Sequence, residues 1–330
     1  MQEKEFKILE ILNKNSSLSQ REIAASVEVS VGTVNSIIKQ LVEKDYISIK
    51  KVANSQNYLV SEKGVLFLED YIKGNLNSKI VFPTEGHRNI NQAVILAAGE
   101  RLDFKKPVGF LNLGQDTIVE RTITLLHEFG IQDIIIITGY ESQYYEQLAQ
   151  KYTNLKLVKN SNYRWTGTMH SLALAQEFIT DDFILIESDI VFEKKALFAL
   201  IENKNRNCLL ITSESGSEDE VFVEIRDNFI FKMSKDRHQF NKIDGELIGI
   251  SKISIDIFEK MLEEFRHNMN PYFNYEYALL DVARTFSIGY TKLRDLIWTE
   301  IDTNWHYKNL LNYIYPMLLE KEKTKGGRPK

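Results

Sequence analysis

Three short apolar segments of the chain lead into residues that can contact phosphate or bind a cation. The segment 92–99, QAVILAAG, predicts a buried strand that runs into a tight loop at Gly99. The segments 186–189, IESD, and 299–302, TEID, each predict an apolar strand that ends in an aspartate. Backbone N–H groups of a glycine loop can point at phosphate oxygens, and divalent cations prefer carboxylate ligands. Together these residues indicate the chemistry of nucleotidyl transfer.

The composition is that of a globular protein. The chain has 330 residues, a length typical of about two domains, and its net charge of −5 excludes a uniformly basic nucleic-acid binder. Cys208 is the single cysteine, which excludes an internal disulfide and a site with several cysteine ligands. The sequence contains neither an apolar run long enough for a membrane span nor a signal-peptide core. We therefore expect a cytoplasmic protein with no membrane partner.

Residues 1–74 predict one small α+β domain. An amphipathic first helix is followed by Ser19 and Glu22, which form a capping-box pattern before a second helix. Ser30 is positioned to cap a third helix. The remaining predicted elements are two strands at 46–50 and 57–60, a hairpin tip at 53–55 and a helix at 61–71.

This layout resembles the winged helix-turn-helix modules of bacterial transcription regulators, and the matching stretch is SQREIAASVEVSVGTVNSIIKQLVEKDYI. The resemblance implies that the third helix enters the major groove of duplex DNA and that lysines of the wing meet phosphates. The implied DNA-contacting residues are Ser30, Gly32, Thr33, Asn35, Ser36, Lys39, Lys50 and Lys51. Regulators of this kind often pair to read two half-sites, which leaves a homodimer open. The alternative is a winged helix that binds protein or only caps the second domain.

Residues 91–315 predict an α/β domain that follows a linker at 75–90. Strands and helices alternate along its first half, and the consecutive isoleucines before Thr138 are typical of a strand covered on both faces. This alternation predicts a doubly wound, mostly parallel, Rossmann-like sheet in which ligands bind beyond the carboxyl ends of the strands. The charged segment 316–330 is predicted to be a flexible tail.

The motifs of this domain, in chain order, resemble those of nucleotidyltransferases that make CDP-linked small zwitterions. They are VILAAG, KPVGFLNLG, TIVERTI, IIIITGY, LVKNSNYRWTGTMHSL, FILIESDIVFEKKAL, DEVFVE, MSKD, GELIGISKIS and LIWTEID. Phosphocholine and 2-aminoethylphosphonate cytidylyltransferases carry such motifs, and the resemblance spans about residues 91–310. It implies a nucleotidyltransferase fold and CTP-dependent transfer of CMP to phosphocholine or an aminoalkylphosphonate.

The resemblance also implies residue roles. Asp189 and Asp302 would hold Mg²⁺ on the α-phosphate, because cations must neutralise the anions that approach each other. The implied nucleotide-binding residues are Leu96, Ala97, Ala98, Gly99, Thr138 and Gly139. The candidates for binding the acceptor's cationic group are Glu246, Tyr275, Glu276 and Trp298, since carboxylates and aromatic faces attract ammonium groups. Thr168 is a further acceptor-binding candidate, because its hydroxyl could meet an anion at the start of a helix. The alternative for Tyr275 and Trp298 is a role in the core.

Two positions depart from that family. The glycine-rich loop is compressed here to Gly99-Glu100-Arg101, with an anion at Glu100, and the lysine after the loop proline is replaced by Val108. The residues that can supply the missing catalytic charge are Arg101, Lys105 and Lys106. Two functions therefore stay open. One is a nucleotidyltransferase fused to a DNA-binding domain, and the other is a transcription regulator whose transferase fold binds nucleotide or CDP-linked product with little turnover.

Overall fold

The computed structural model describes residues 2–52, 55–68, 90–216 and 220–324 of the chain. The chain divides into two compact units, residues 1–79 and 80–330. Each unit has its own hydrophobic core. Within the described residues, no helix combines the length and the apolar character that crossing a membrane requires.

The first unit has the predicted order of three helices, a hairpin and a helix. Its elements are α1 (Gln2–Lys14), α2 (Gln20–Ser26), α3 (Val31–Glu43), β1 (Ile47–Val52), β2 (Ser55–Val60) and α4 (residues 62–68). The Ser19 hydroxyl accepts a hydrogen bond from the Glu22 amide, and the Glu22 carboxylate accepts one from the Ser19 amide. The predicted capping box is therefore confirmed. Ser30 caps α3 by accepting a hydrogen bond from the amide of Thr33.

The core of this unit lies between the helices and one face of the hairpin. Four residues of α3 are buried at the spacing that the sequence predicts: Val34, Ile37, Ile38 and Leu41. β1 and β2 pair antiparallel, and Tyr58 is buried against the helices. Several predictions fall outside the described residues, namely Ala53 and Asn54 of the hairpin tip, residues 69–71 of the last helix and residues 75–89 of the linker.

The second unit contains thirteen strands and eight helices among its described residues. The strands are β3 (Gln92–Ala97), β4 (Asn112–Leu113), β5 (Asp116–Thr117), β6 (Asp133–Thr138), β7 (Leu155–Lys159), β8 (Phe183–Glu187), β9 (Ile190–Phe192), β10 (Cys208–Thr212), β11 (Phe222–Arg226), β12 (Phe229–Ser234), β13 (Gly245–Ile253), β14 (Gly289–Lys292) and β15 (Trp298–Glu300). The helices are α5 (Ile118–Glu128), α6 (Gln143–Ala149), α7 (Thr168–Leu174), α8 (Lys195–Ile201), α9 (Ile255–His267), α10 (Tyr275–Ala283), α11 (Asn304–Asn309) and α12 (Tyr315–Thr324).

A sheet of nine strands forms the centre of this unit. Strands β7, β6, β3 and β8 lie side by side and run parallel, and β13 continues the sheet antiparallel to β8. β13 also pairs with β10 and with β11. β14 pairs with β10, and β12 pairs with β11. The sheet is therefore mixed, with a parallel half, and the predicted Rossmann-like α/β fold is confirmed.

The parallel strands are covered on both faces, as their continuous apolar sequences predict. Alternate residues of β3 point to opposite sides, so Val94 belongs to one core cluster and Ile95 to the other. Helices α7, α9 and α10 cover the first side, and α5, α6 and α8 cover the second. Ile90, the last residue of the predicted linker, is buried in the second cluster.

The predicted flexible tail at 316–330 is wrong for residues 316–324. These residues belong to α12, where Leu318 is fully buried. Arg121 contacts Glu322 at 2.7 Å, and Lys321 contacts Glu193 at 3.1 Å. The charged residues that suggested a tail therefore hold the helix against the domain. Residues 325–330 lie outside the described part of the chain.

Candidate functional site

The predicted phosphate loop leaves the sheet at the carboxyl end of β3. Leu96, Ala97 and Ala98 are buried, and the chain first becomes exposed at Gly99. A Cβ atom at Gly99 would meet nothing within 4 Å, and the backbone there is not in the left-handed region. Gly99 therefore does not adopt the left-handed conformation that favours glycine. Its lack of a side chain instead leaves open space beside the loop.

Gly139 has a structural role next to this loop. A Cβ atom there would lie 2.5 Å from the carbonyl oxygen of Ala98 and 2.9 Å from the Tyr163 ring. Its neighbour Tyr140 donates a backbone hydrogen bond of 3.0 Å to the same oxygen of Ala98. Thr138, at the end of β6, is buried. The structure thus places Thr138 and Gly139 behind the loop, where they support it.

The two predicted metal ligands lie side by side, although they are far apart in sequence. Strand β15 pairs antiparallel with β9, and Glu300 lies opposite Ile190 in that pair. The amide of Ile301 donates a hydrogen bond of 2.9 Å to the carbonyl oxygen of Asp189. This register places Asp302 beside Asp189 just beyond the strand pair.

Arg101 connects these carboxylates. Its Nη2 atom lies 2.8 Å from an oxygen of Asp189 and 2.8 Å from an oxygen of Asp302. The same atom lies 3.4 Å from Glu300. The predicted catalytic cation and the two predicted metal ligands therefore meet at one point.

Two glutamates that the sequence reasoning missed complete the group. Ligand oxygens of Glu187, Asp189 and Glu300 all lie within 4.8 Å of one another. The sequence carried a signal for both, because IESD and TEID share the pattern Glu-X-Asp. Side chains two residues apart point to the same side of an extended chain. We call Glu187, Asp189, Glu300 and Asp302 the carboxylate cluster.

Burial and mutual repulsion shape the charges of the carboxylate cluster. Burial, with added repulsion from Asp189, raises the pKa of Glu187 and of Glu300 above the ordinary value of 4.5. Burial alone would lower the pKa of the Arg101 guanidinium. The negative charges of Asp189, Asp302 and Glu300 have the larger effect, so the pKa is raised. Each of these acids offers only oxygen ligands, which suit a hard ion such as Mg²⁺. The donor set therefore fits the expected metal.

The remaining loop cations differ in their surroundings. Arg164 pairs with Glu100 at 2.8 Å, so the anion that departs from the family pattern is balanced by a neighbour. Lys105 is exposed and Lys106 is half-buried. In the described part of the chain, neither lysine forms an ion pair, so both remain candidates to meet phosphates.

Val108 is part of a hydrophobic core. It lies in a short 3₁₀ turn, is 6% exposed, and belongs to a buried cluster that includes Ile118 and Ile301. This position therefore contributes packing and supplies no charge.

The predicted acceptor residues fall into separate places. The Tyr275 amide donates to Thr168 Oγ1, and the Tyr275 hydroxyl donates to Glu187 Oε1 at 2.7 Å. These two residues therefore adjoin the carboxylate cluster. Glu246 is buried and accepts a hydrogen bond from the amide of Ser215 at 2.7 Å, and burial raises its pKa. Trp298 packs against the hydrophobic core and Tyr275 is buried within it, as the alternative interpretation expected for both residues.

Most of the predicted DNA-contacting side chains of α3 are accessible. Asn35, Ser36 and Lys39 are exposed, and Thr33 is half-buried with its hydroxyl 2.8 Å from that of Ser30. Gly32 is also exposed. Lys50 and Lys51 are both exposed on β1, where consecutive residues point to opposite faces of the hairpin.

Family models match both units. A model of the winged helix-turn-helix DNA-binding domain matches residues 1–48, and a model of the MobA-like NTP transferase domain matches residues 93–286. The predicted fusion of these two kinds of domain is confirmed. The second match ends before Glu300 and Asp302, so half of the carboxylate cluster lies beyond it.

Curated relatives resemble mainly the second unit. The chain is 29% identical over 64% of its length to the bifunctional IPC transferase and DIPP synthase of Thermococcus kodakarensis, of which it covers 48%. It is 32% identical over 35% of its length to the choline-phosphate cytidylyltransferase of Haemophilus influenzae, of which it covers 54%. The chain thus spans about half the length of each of these two relatives.

Solved structures share the fold. The inositol-1-phosphate CTP transferase from T. maritima aligns with a TM-score of 0.62 and 17% identity, covering 74% of this chain and all of that one. At this identity the likeness shows the nucleotidyltransferase fold alone. The homologues thus include cytidylyltransferases, and the fold of the second unit is the nucleotidyltransferase fold.

Proposed function

Because the chain belongs to the MobA-like NTP transferase family, we propose that its second unit transfers CMP from CTP to phosphocholine or an aminoalkylphosphonate. The observation that carries this proposal is the meeting of the carboxylate cluster with Arg101 beside the open loop at Gly99. The choice of CTP and of a choline-like acceptor follows the names of similar proteins and the sequence motifs.

The reaction joins two anions, so the site has to offset negative charge. An oxygen of the acceptor's phosphate or phosphonate attacks the α-phosphorus of CTP, and the bond from that phosphorus to the bridging oxygen of the β-phosphate breaks to release pyrophosphate. The residues that would hold Mg²⁺ are Asp189 and Asp302, with Glu187 and Glu300 beside them. A bound Mg²⁺ neutralises charge on the reacting phosphates.

The chain's own residues have distinct tasks in this proposal. The exposed loop at Gly99 lets phosphate oxygens approach the backbone, because no side chain fills the space there. Lys105 and Lys106 follow on the same loop and would compensate for the apolar Val108. Tyr275 holds Glu187 through its hydroxyl, on the side where Thr168 begins α7. We assign the acceptor's cationic group to the region beside Tyr275 and Thr168, next to the carboxyl group of Glu187.

Pyrophosphate release is the direct test. The full chain is incubated with Mg²⁺, one of the four common nucleoside triphosphates, and phosphocholine or 2-aminoethylphosphonate as acceptor. We expect release with CTP and one acceptor, and its loss in Asp189→Asn. The control Glu128→Gln, an exposed residue paired with Lys194, should retain it. Release that is equal for all triphosphates, or unchanged in Asp189→Asn, contradicts the proposal.

A second candidate function is a DNA-binding regulator that senses nucleotide or CDP-linked product with little turnover. The observation that favours it is Val108, whose place in a buried cluster leaves this position without the cation of the family pattern. Its distinguishing result is tight CTP binding without pyrophosphate release, together with DNA affinity that changes when CTP or CDP-choline is added. Fast pyrophosphate release, together with a DNA affinity that neither CTP nor CDP-choline changes, would reject this function.

A further inference from the structure

Arg101 lies among the carboxylates to which the proposed function assigns a bound cation. Its Nη2 atom is 2.8 Å from Asp189 and 3.4 Å from Glu300, and both acids belong to the group whose oxygens converge within 4.8 Å. It is also 2.8 Å from Asp302, the second predicted metal ligand. One nitrogen thus contacts three of the acids that a metal would use.

A guanidinium and a divalent cation compete for these carboxylate oxygens. Their charges repel, and the site is partly buried, so solvent screens this repulsion less than at an open surface. Removal of either cation without replacement leaves several carboxylates close together, which is unfavourable. Exchange of one cation for the other relieves both the repulsion and this penalty.

The loop allows the Arg101 side chain to leave while the backbone stays in place. On one side, Glu100 is held by Arg164 at 2.8 Å. On the other side, Asp103 accepts a hydrogen bond of 2.8 Å from the amide of Asn304, and Phe104 is buried. The Arg101 side chain between these anchors is 38% exposed, so solvent already reaches it.

We propose that Arg101 is the resident cation of the carboxylate cluster, and that it leaves the cluster when a divalent metal binds. This inference rests on the proposed function for the identity of the metal, and it concerns the state that precedes any reaction. Exchange makes the site bind metal weakly while Arg101 is in place. A triphosphate favours the exchange, because it offers the displaced guanidinium new oxygen partners.

The test measures Mn²⁺ binding to the full chain without nucleotide, by the loss of the free-ion electron paramagnetic resonance signal. Arg101→Gln should bind Mn²⁺ at least about tenfold more tightly than the wild type, since no resident cation has to be displaced. The matched control is Arg284→Gln, which removes the same charge from an exposed pair with Asp281 and should leave Mn²⁺ affinity unchanged. Equal or weaker binding by Arg101→Gln overturns the proposal.

Thermal unfolding supplies a second readout. Added Mg²⁺ should raise the melting temperature of Arg101→Gln more than that of the wild type, because only the variant lacks a cation at the carboxylate cluster. Arg101→Lys keeps one charge but lacks the planar fork, so its Mn²⁺ affinity should lie between the two. A larger Mg²⁺ effect on the wild type overturns the proposal. Absence of pyrophosphate release would reject the proposed transferase activity, whereas these metal measurements would still decide the exchange.

Discussion

The amide of Ile301 donates a 2.9 Å hydrogen bond to the carbonyl oxygen of Asp189. This bond continues the pairing of β15 with β9 one residue beyond the pair Glu300–Ile190. It therefore fixes the position of Asp302 relative to Asp189. Asp302, one residue further, contacts the same Arg101 nitrogen as Asp189. Two aspartates that are distant in sequence are thus held side by side through a backbone contact.

Asp189 and Asp302 should therefore be coupled in metal-dependent CTP binding. Asp189→Asn and Asp302→Asn should each weaken Mg²⁺-dependent CTP binding at least about tenfold, since each would remove one of the two proposed ligands of the ion. The double variant should lose little more than either single variant, because residues that act as a unit are not additive. Isothermal titration with CTP, with and without Mg²⁺, measures this. Fully additive losses would show that the two acids hold different groups.

Gly99 and Gly139 should respond differently to substitution by alanine. Gly99→Ala should keep the melting temperature but weaken CTP binding, because its Cβ enters space that is open in this structure. Gly139→Ala should lower the melting temperature, since its Cβ would lie 2.5 Å from the carbonyl oxygen of Ala98. Thermal unfolding and CTP titration of both variants test this contrast. Normal CTP affinity in Gly99→Ala would show that phosphates do not approach the loop at that residue.

Val108→Lys should destabilise the protein and fail to accelerate pyrophosphate release. Although the family pattern has a lysine here, Val108 is 6% exposed within an apolar cluster, and burying an unpaired ammonium group costs on the order of 3 kcal/mol. Denaturant unfolding and a release assay measure the two effects. Val108→Met, which stays apolar, is the control and should lose much less stability. Faster release by a stable Val108→Lys would mean that this side chain reaches the phosphates.

Glu300→Gln should stabilise the metal-free protein more at about pH 8 than at about pH 5. Burial and the nearby Asp189 raise the pKa of Glu300 in the folded protein, so the folded state holds its proton to higher pH than the unfolded chain does. Raising the pH above the ordinary value of 4.5 therefore favours the unfolded state, and glutamine removes this penalty. Thermal unfolding at both values tests the sign, with Glu128→Gln as the control. A larger gain at the lower pH would contradict it.

The exposed face of α3 should carry DNA recognition. Asn35→Glu with Ser36→Glu should abolish binding to an operator selected from random duplexes, because two carboxylates would face phosphates and base edges. Lys14→Glu changes the net charge by the same amount on α1 and should weaken binding far less. Fluorescence anisotropy over a salt series measures both. Equal losses in the two variants would indicate a charge effect that does not depend on α3.

The sequence predicted the elements that depend on local patterns. The capping box at Ser19 and the isoleucine strand before Thr138 were both found where expected, because caps and buried strands leave compact signals. The site was predicted only in part. Asp189 and Asp302 were expected at strand ends, but Glu187 and Glu300 were missed, although the repeated Glu-X-Asp pattern points to them.

Other properties of the site depend on partners that are distant in the chain. The sequence places an anion at Glu100 that would repel phosphates, but Arg164, which is distant in the chain, pairs with it in the fold. The charged residues at Lys321 and Glu322 suggested a tail, because the sequence alone does not show that Glu193 and Arg121 face them. Pairings of this kind follow from the tertiary fold and leave no periodic signal in the sequence.

The pairing of β9 with β15 also has a consequence for synthesis on the ribosome. The four parallel strands β3, β6, β7 and β8 are complete at Glu187, whereas Glu300 lies in β15, the last strand of the described residues, and Asp302 follows it. A nascent chain can therefore assemble its parallel strands while it still lacks half of the carboxylate cluster. Under the proposed function, metal binding by the whole carboxylate cluster is then a late step, which a chain reaches only after β15 has been translated.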